Sequence, residues 1–435
     1  MRSIQIWSLG TAASIAVSLT LGCAAGSDAE EGVSPHPIAR PHTGPSKADD
    51  GRQVVDECGD FPAYYMEFLD DTRCQKSRPS DRNRDLQCPV VATGASVYSP
   101  HQDKPVHYAP ATAEPLVDET ALMGIVPDDM NLTLVLVRRV NGEPHYRYLS
   151  NGTHDVTVQP WSSTKFMAVA NAGANLRAKS NGLVGLTGRI DGHPLGDLST
   201  IVHNYDEREF RSNALARWFL NVGDRDRLDR LVHGGWLDRP SWETLGGNYG
   251  AAGPGLGYEI IDQAGSVSMA GTDVSGRRNQ LSTFTIAEFL KRLVMHREDP
   301  QFGMPDLDWD DIKVLLYGAA KSRRYDRDTP QGMESDTAIY LEAGLDMAKI
   351  EAQSNGQWRI FSKLGFGTSR GGEFVNAGYA CLPVLGDDGA PKPNWGKEFF
   401  LVTQLSGEGD FPKTDARLAE VYGQLVRGIM SGEIK

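Results

Sequence analysis

Residues 159–175, QPWSSTKFMAVANAGAN, decide how the rest of the chain reads. Pro160 sets the approach to a helix, and Ser162 stands where an N-cap or first-turn residue belongs. Phe166, Val169, Ala170 and Gly173 then recur at three- and four-residue spacing, the pattern of a buried amphipathic face. In that register Ser162 and Lys165 share one side of the first turn. The positive end of the helix dipole disfavours the ammonium form of such a lysine, and burial pushes the same way. A neutral Lys165 takes the proton of Ser162 and turns a poor nucleophile into a useful one. The competing interpretation is a capping serine beside a solvated lysine. A chain this long contains about one or two S-x-x-K matches by accident, so the surrounding sequence must decide.

The 435 residues allow one large domain or two medium ones, with ample chain for a core. A composition of 40% hydrophobic and 23% charged residues is that of an ordinary globular protein. The net charge of −13 argues against nucleic acid as a partner, because phosphate binding needs a basic face. At the N-terminus, Arg2 precedes an apolar run over 4–21 that ends in small residues and Cys23, the pattern of a secretory signal. The sequence Leu19-Thr20-Leu21-Gly22-Cys23 resembles a bacterial lipoprotein signal, with Thr20 where a leucine is usual. The resemblance implies removal of 1–22, a lipid on Cys23 and a membrane-tethered protein of the bacterial cell envelope (periplasm). A plain signal peptide cut nearby is the alternative. No other apolar run approaches the roughly 20 residues that span a bilayer.

Export makes the remaining cysteines informative. Cys58, Cys74, Cys88 and Cys381 form an even set, open to two disulfides in three pairings. Three of them crowd into one stretch, so at least one bridge is local or reaches Cys381. Residues 23–52, rich in Pro, Gly, Ser and charge, read as a flexible tether. Residues 53–115 read as a Cys-containing N-terminal extension, and 116–435 as the main domain.

Regular structure begins with LTLVLVRRV at 132–140, a strand by its β-branched content. Asn141-Gly142 is a hairpin turn signal, with the return strand over 145–149. Residues 156–158 lead into the Ser162 helix. Helices follow at 213–220 and 285–294, with 246–257 and 265–276 as loop. Strands return at 358–365, 374–384 and 398–403, and an amphipathic helix over 415–430 closes the chain. Two strands, a helical block, three strands and a terminal helix make an α+β fold. Its antiparallel sheet is built from both ends of the domain around an inserted helical block.

Three features line up in this order: Ser162-Ser163-Thr164-Lys165 at a helix start, Asn213 in Phe210-Arg211-Ser212-Asn213 opening a helix, and Lys363-Leu364-Gly365 on a strand. Together they resemble the penicillin-recognising serine hydrolases, the class A β-lactamases, DD-peptidases and their relatives. Those proteins carry S-x-x-K, S-x-N or Y-x-N, and K-T/S-G in the same settings. The resemblance runs from about residue 132 to the C-terminus, and Asn279 to Leu290 is similar to a further helix of the family. It implies a β-lactamase/transpeptidase-like fold, with Ser162 as nucleophile, Lys165 as its base or proton relay, Asn213 on the substrate amide and Lys363 on its carboxylate. The backbone N–H groups of Ser162 and Phe366 would form the oxyanion hole. Gly365 and Arg370 would lie beside the substrate, an exposed turn residue being the alternative for Arg370.

Two positions depart from the pattern. Arg211 stands where the proton-relaying Ser or Tyr belongs, with Ser212 one residue out of register. Leu364 replaces the hydroxyl residue that assists carboxylate binding. A class A enzyme also needs a glutamate to activate the deacylating water, and Glu243 offers only an off-register match whose simpler interpretation is a surface loop. Gly367-Thr368-Ser369-Arg370-Gly371 fits the nucleophile elbow G-x-S-x-G, but that fold places a histidine after the serine and the last one here is His296. The ten histidines show no metal-ligand spacing, and 253–257 lacks the flanking elements of a dinucleotide loop, so no metal and no cofactor are expected. The expectation is an exported serine hydrolase acting through an acyl-enzyme on Ser162, its substrate a small molecule or a peptidoglycan fragment. The alternatives are a D-alanyl-D-alanine peptidase or esterase of the same fold, and an envelope lipoprotein that binds without turnover.

Overall fold

The computed structural model describes residues 88, 97–98 and 106–435, apart from 205–208, 246, 248, 272–278, 326–330, 335–338, 343–344, 355, 368–371, 393–395 and 408–410. The positions expected at Cys23, Cys58, Cys74 and Arg370 lie outside the described residues.

The central sheet is antiparallel along its main strands and drawn from both ends of the domain, as the order of elements predicts. Strands β1 (Met130–Val140) and β2 (Glu143–Leu149) form the N-terminal hairpin. Asn141 and Gly142 both adopt positive φ, 55° and 89°, the backbone that a two-residue turn demands and that this pair tolerates. Strands β3 (Arg359–Gly367), β4 (Glu373–Leu382) and β5 (Lys397–Ser406) return from the C-terminal part. The spatial order is β3-β4-β5-β1-β2, with Ala109–Pro110 added beyond β2, so β3 is an edge strand.

Alternation along the strands builds two cores. Val135, Val137, Val375, Tyr379, Phe400 and Val402 face the helical block, while Leu132, Leu134, Phe374, Phe399 and Leu401 face the other way. The second face is covered by the terminal helix Phe411–Ser431 through Leu418, Tyr422, Leu425 and Val426. Cys88 is joined to Cys381 on β4, with 5.6 Å between their α-carbons.

The helical block contains α1 (Lys165–Lys179), α2 (Leu195–Asn204), α3 (Ser212–Gly223) and α4 (Thr283–Val294). Helix α1 is buried continuously from Lys165 to Leu176, not on one face as its apolar spacing predicts. Its small residues let neighbours approach on every side. Asn171 and Asn175 stay satisfied there because their amides donate to Gly223 O and Val222 O, each at 2.7 Å. These bonds tie the middle of α1 to the C-terminus of α3, so the two helices run in the same direction with their N-termini together. Two further differences from expectation concern short elements. Residues 265–268 are a strand, not loop, paired with Glu259–Asp262 in a small sheet that also holds Arg189–Ile190 and His193–Pro194. Helix α3 begins at Ser212, so Asn213 sits inside its first turn instead of preceding it.

Candidate active site

The Ser162 segment is tighter than a helix start. Trp161–Thr164 form a 3₁₀ turn, and α1 begins only at Lys165 with Thr164 as its unbonded cap. Ser162 therefore caps nothing. The turn is closed by Ser163, whose N–H and hydroxyl both donate to Pro160 O, at 3.1 and 2.6 Å. Trp161 holds a positive φ of 49°, a conformation costing a bulky residue about 1–3 kcal/mol unless its surroundings fix it. They do: the indole Nε1 donates to Glu373 Oε2 at 2.9 Å, and Gln404 Nε2 holds the other oxygen of that carboxylate at 2.8 Å. The ring lies over Gly367, where a β-carbon would come within 2.1 Å of it.

Lys165 is fully buried, and its Nζ reaches across to the first turn of α3. It donates to Ser212 Oγ at 3.1 Å and to Asn213 Oδ1. Ser212 passes its own hydroxyl proton to Val202 O at 3.0 Å, near the C-terminus of α2. The S-x-x-K segment and Asn213 therefore meet, as the motif spacing predicts. Ser212, one position out of register in the sequence, also reaches the lysine. Arg211, at the relay position, is exposed.

Lys363 arrives from β3 and is likewise fully buried. Its Nζ donates to Leu364 O at 3.1 Å and lies 3.5 Å from His203 O. The last carbonyls of a helix carry its negative dipole end, so α2 offers a favourable seat for this ammonium. His203 shows that the two lysines share one neighbourhood. Burial first, then the charges of Lys363 and Lys165, push its imidazole down to about 3 against the opposing bond to Ser199, so the ring is neutral. Leu364 points into the core under the terminal helix, which accounts for an apolar residue in that place.

Edge strand β3 closes against the Ser162 turn. A β-carbon on Gly365 would lie 2.4 Å from Ser163 N, 2.6 Å from Pro160 O and 2.7 Å from Ser162 N. Only glycine lets the two backbones touch, and the contact sets Phe366 next to Ser162 along the same edge. Glu243 is not on the surface, contrary to the loop interpretation. It is 1% exposed and accepts from Ser282 N at 2.9 Å and from Arg239 Nη2 at 3.1 Å.

Trp161, His203, Glu373 and Tyr249 were not legible as site residues. Their relevance comes from contacts between distant segments, and none sits in a motif. A cavity of about 320 Å³ opens elsewhere, lined by Tyr146, Glu288, Lys291, Asp299 and Phe302 among others, and none of the expected site residues borders it. Its charges are matched internally, Lys291 lying 2.7 Å from Glu288 and Tyr148 donating to Glu288 at 2.5 Å.

No family model matches the chain, and no curated protein does. Among solved structures it is similar to a β-lactamase from Xanthomonas campestris pv. campestris, at 14% identity over 68% of this chain and 91% of that one, with a TM-score of 0.39. It is similar to a β-lactamase from Burkholderia vietnamiensis at 12% identity over 73% and 98%, with a TM-score of 0.40. An ancestral class A β-lactamase matches at 14% identity over 69% and 94%, with a TM-score of 0.38.

Proposed function

We propose that the chain is an exported serine hydrolase that works through an acyl-enzyme on Ser162, with a β-lactam amide as the bond it opens. The observation that carries this reading is the meeting of three separate segments at one turn: Lys165 bonded to Ser212 and Asn213, and β3 packed on the Ser162 backbone through Gly365. In this scheme Lys165 takes the Ser162 proton as Oγ adds to the substrate carbonyl. The N–H groups of Ser162 and Phe366 receive the developing negative charge, assisted by the paired N-termini of α1 and α3. Asn213 holds the substrate amide, and Lys363 supplies fixed positive charge for a carboxylate. Collapse of the adduct breaks the carbon–nitrogen bond, the amine leaves with a proton, and water later frees the acyl group. Lipidation at Cys23 would hold the enzyme at the envelope.

A fluorescent penicillin tests the assignment. The wild-type chain is expected to take up label covalently, and Ser162→Ala to take up none while folding normally. Label retained on Ser162→Ala removes the nucleophile assignment. A second reading, a non-catalytic envelope protein that binds peptidoglycan or a partner, is favoured by exposed Arg211 and buried Leu364. It requires a folded wild-type chain that never labels.

A further inference from the structure

Freeing an acyl group from Ser162 takes a second addition. Water adds to the ester carbon, the carbon–Oγ bond breaks, and the proton lost by water returns to Oγ through a base. The segment containing Glu243 and Tyr249 determines what meets that water. Glu243, its carboxylate, is committed at the head of α4. Ser282 donates to it through N–H and hydroxyl, and Arg239 through Nε at 3.2 Å and Nη2 at 3.1 Å. Arg239 is further fixed by Thr285 Oγ1 at 2.9 Å, so the carboxylate cannot turn without dismantling the start of a buried helix.

Tyr249 reaches the Ser162 turn instead. Its Oη lies 3.4 Å from Thr164 Oγ1, its ring centroid 5.6 Å from Lys165 Nζ, and it is 5% exposed. The residue holds φ at 35°, a backbone region where a bulky side chain persists only when tertiary contacts fix it. An aromatic face beside the lysine has no lone pair with which to hold and deprotonate a water, whereas a carboxylate has several.

We propose that Tyr249 shields the Ser162 ester from water, so that the chain acylates readily and releases its acyl group slowly. A β-lactam then traps this protein instead of being turned over quickly. The inference rests on the acyl-transfer reading, and its test separates the two. The full chain is labelled with an equimolar fluorescent penicillin, chased with unlabelled penicillin, and followed by gel and intact mass. Wild type is expected to carry one label per chain that persists through the chase. Tyr249→Ala should shorten the label's half-life by about tenfold or more as water gains access. Tyr249→Phe, which keeps the ring, should match wild type. Rapid label release by wild type, with many penicillins consumed per chain, overturns the shielding while leaving acyl transfer standing; this measurement needs no variant to fold. An unchanged half-life in folded Tyr249→Ala, or a longer one in Tyr249→Phe, also overturns it, the latter by making the phenol hydroxyl a participant. A wild-type chain that never labels overturns the acyl-transfer reading and this inference with it.

Discussion

At the residue scale, the site depends on how closely two backbones approach. Gly365 has no side chain because the Ser162–Ser163 amides and Pro160 O occupy that space. These are main-chain atoms of a turn already closed by Ser163, so they cannot swing aside as a flexible side chain would. Gly365→Ala is therefore expected to push β3 off the turn and slow penicillin labelling by about tenfold or more, at a stability cost of about 1–3 kcal/mol. Labelling kinetics beside a urea melt check both, and labelling at the wild-type rate would show that β3 does not shape the reacting geometry. The four principal site residues were legible because each motif is short and carries its chemistry in residue type. The strained turn beneath them was not. Nothing local marks Trp161 for positive φ, since its restraint comes from Glu373, 212 positions away. Ser212 was legible only as a near miss, because a helix that starts one residue early brings both of its first polar side chains to Lys165.

At the scale of elements, β1 and β5 are joined by more than their ladder. Arg139 on β1 pairs with Glu398 on β5 at 2.9 Å and with Glu298 just beyond α4, while Tyr379 Oη donates to Glu398 at 2.9 Å. One buried cation thus serves two carboxylates. Burial, then the Glu398 charge, raises Glu298 from 4.5 to about 7 against the pull of Arg139. A carboxyl whose folded pKa is raised binds its proton more tightly in the native state than in the unfolded one. Its contribution to stability is then fully present below about 4.5 and is lost as pH rises through about 7. Glu298→Gln mimics the protonated form at every pH. The wild-type chain should lose stability relative to this variant between pH 5 and pH 8, by at most about 3 kcal/mol. Chemical denaturation at the two pH values reads the difference, and parallel curves for the two proteins would contradict the assignment. The long strands and the Asn141-Gly142 hairpin were legible because β-branched runs and turn chemistry are local signals. The small sheet at 189–194 and 259–268 was not, because its two- and four-residue strands carry too few side chains to establish a period.

At the scale of the whole molecule, the sheet is assembled from segments far apart in sequence, and the Cys88–Cys381 bridge spans a separation of 293 residues across that assembly. Sequence arithmetic left three pairings open and required only that some bridge be local or reach Cys381; the described bridge is one of the long ones. Closing a loop of this size restricts the unfolded chain strongly, and bridges of this kind contribute about 2–4 kcal/mol. The bridge also lies well away from the chemistry. Gly365 pairs with Val375, six residues along β4 from Cys381, which at strand rise is about 20 Å. Stability and reactivity should therefore separate. Cys88→Ser is expected to lower the free energy of unfolding by about 2–4 kcal/mol, with the rate of penicillin labelling at 25 °C within about twofold of wild type. Urea denaturation of the variant, compared with wild type before and after reduction, measures the first effect, and labelling kinetics of the folded variant measure the second. If labelling falls as steeply as stability, the bridge and the Ser162 turn belong to one cooperative unit, and the strand between them transmits strain from Cys381 to Gly365 instead of insulating the site from it.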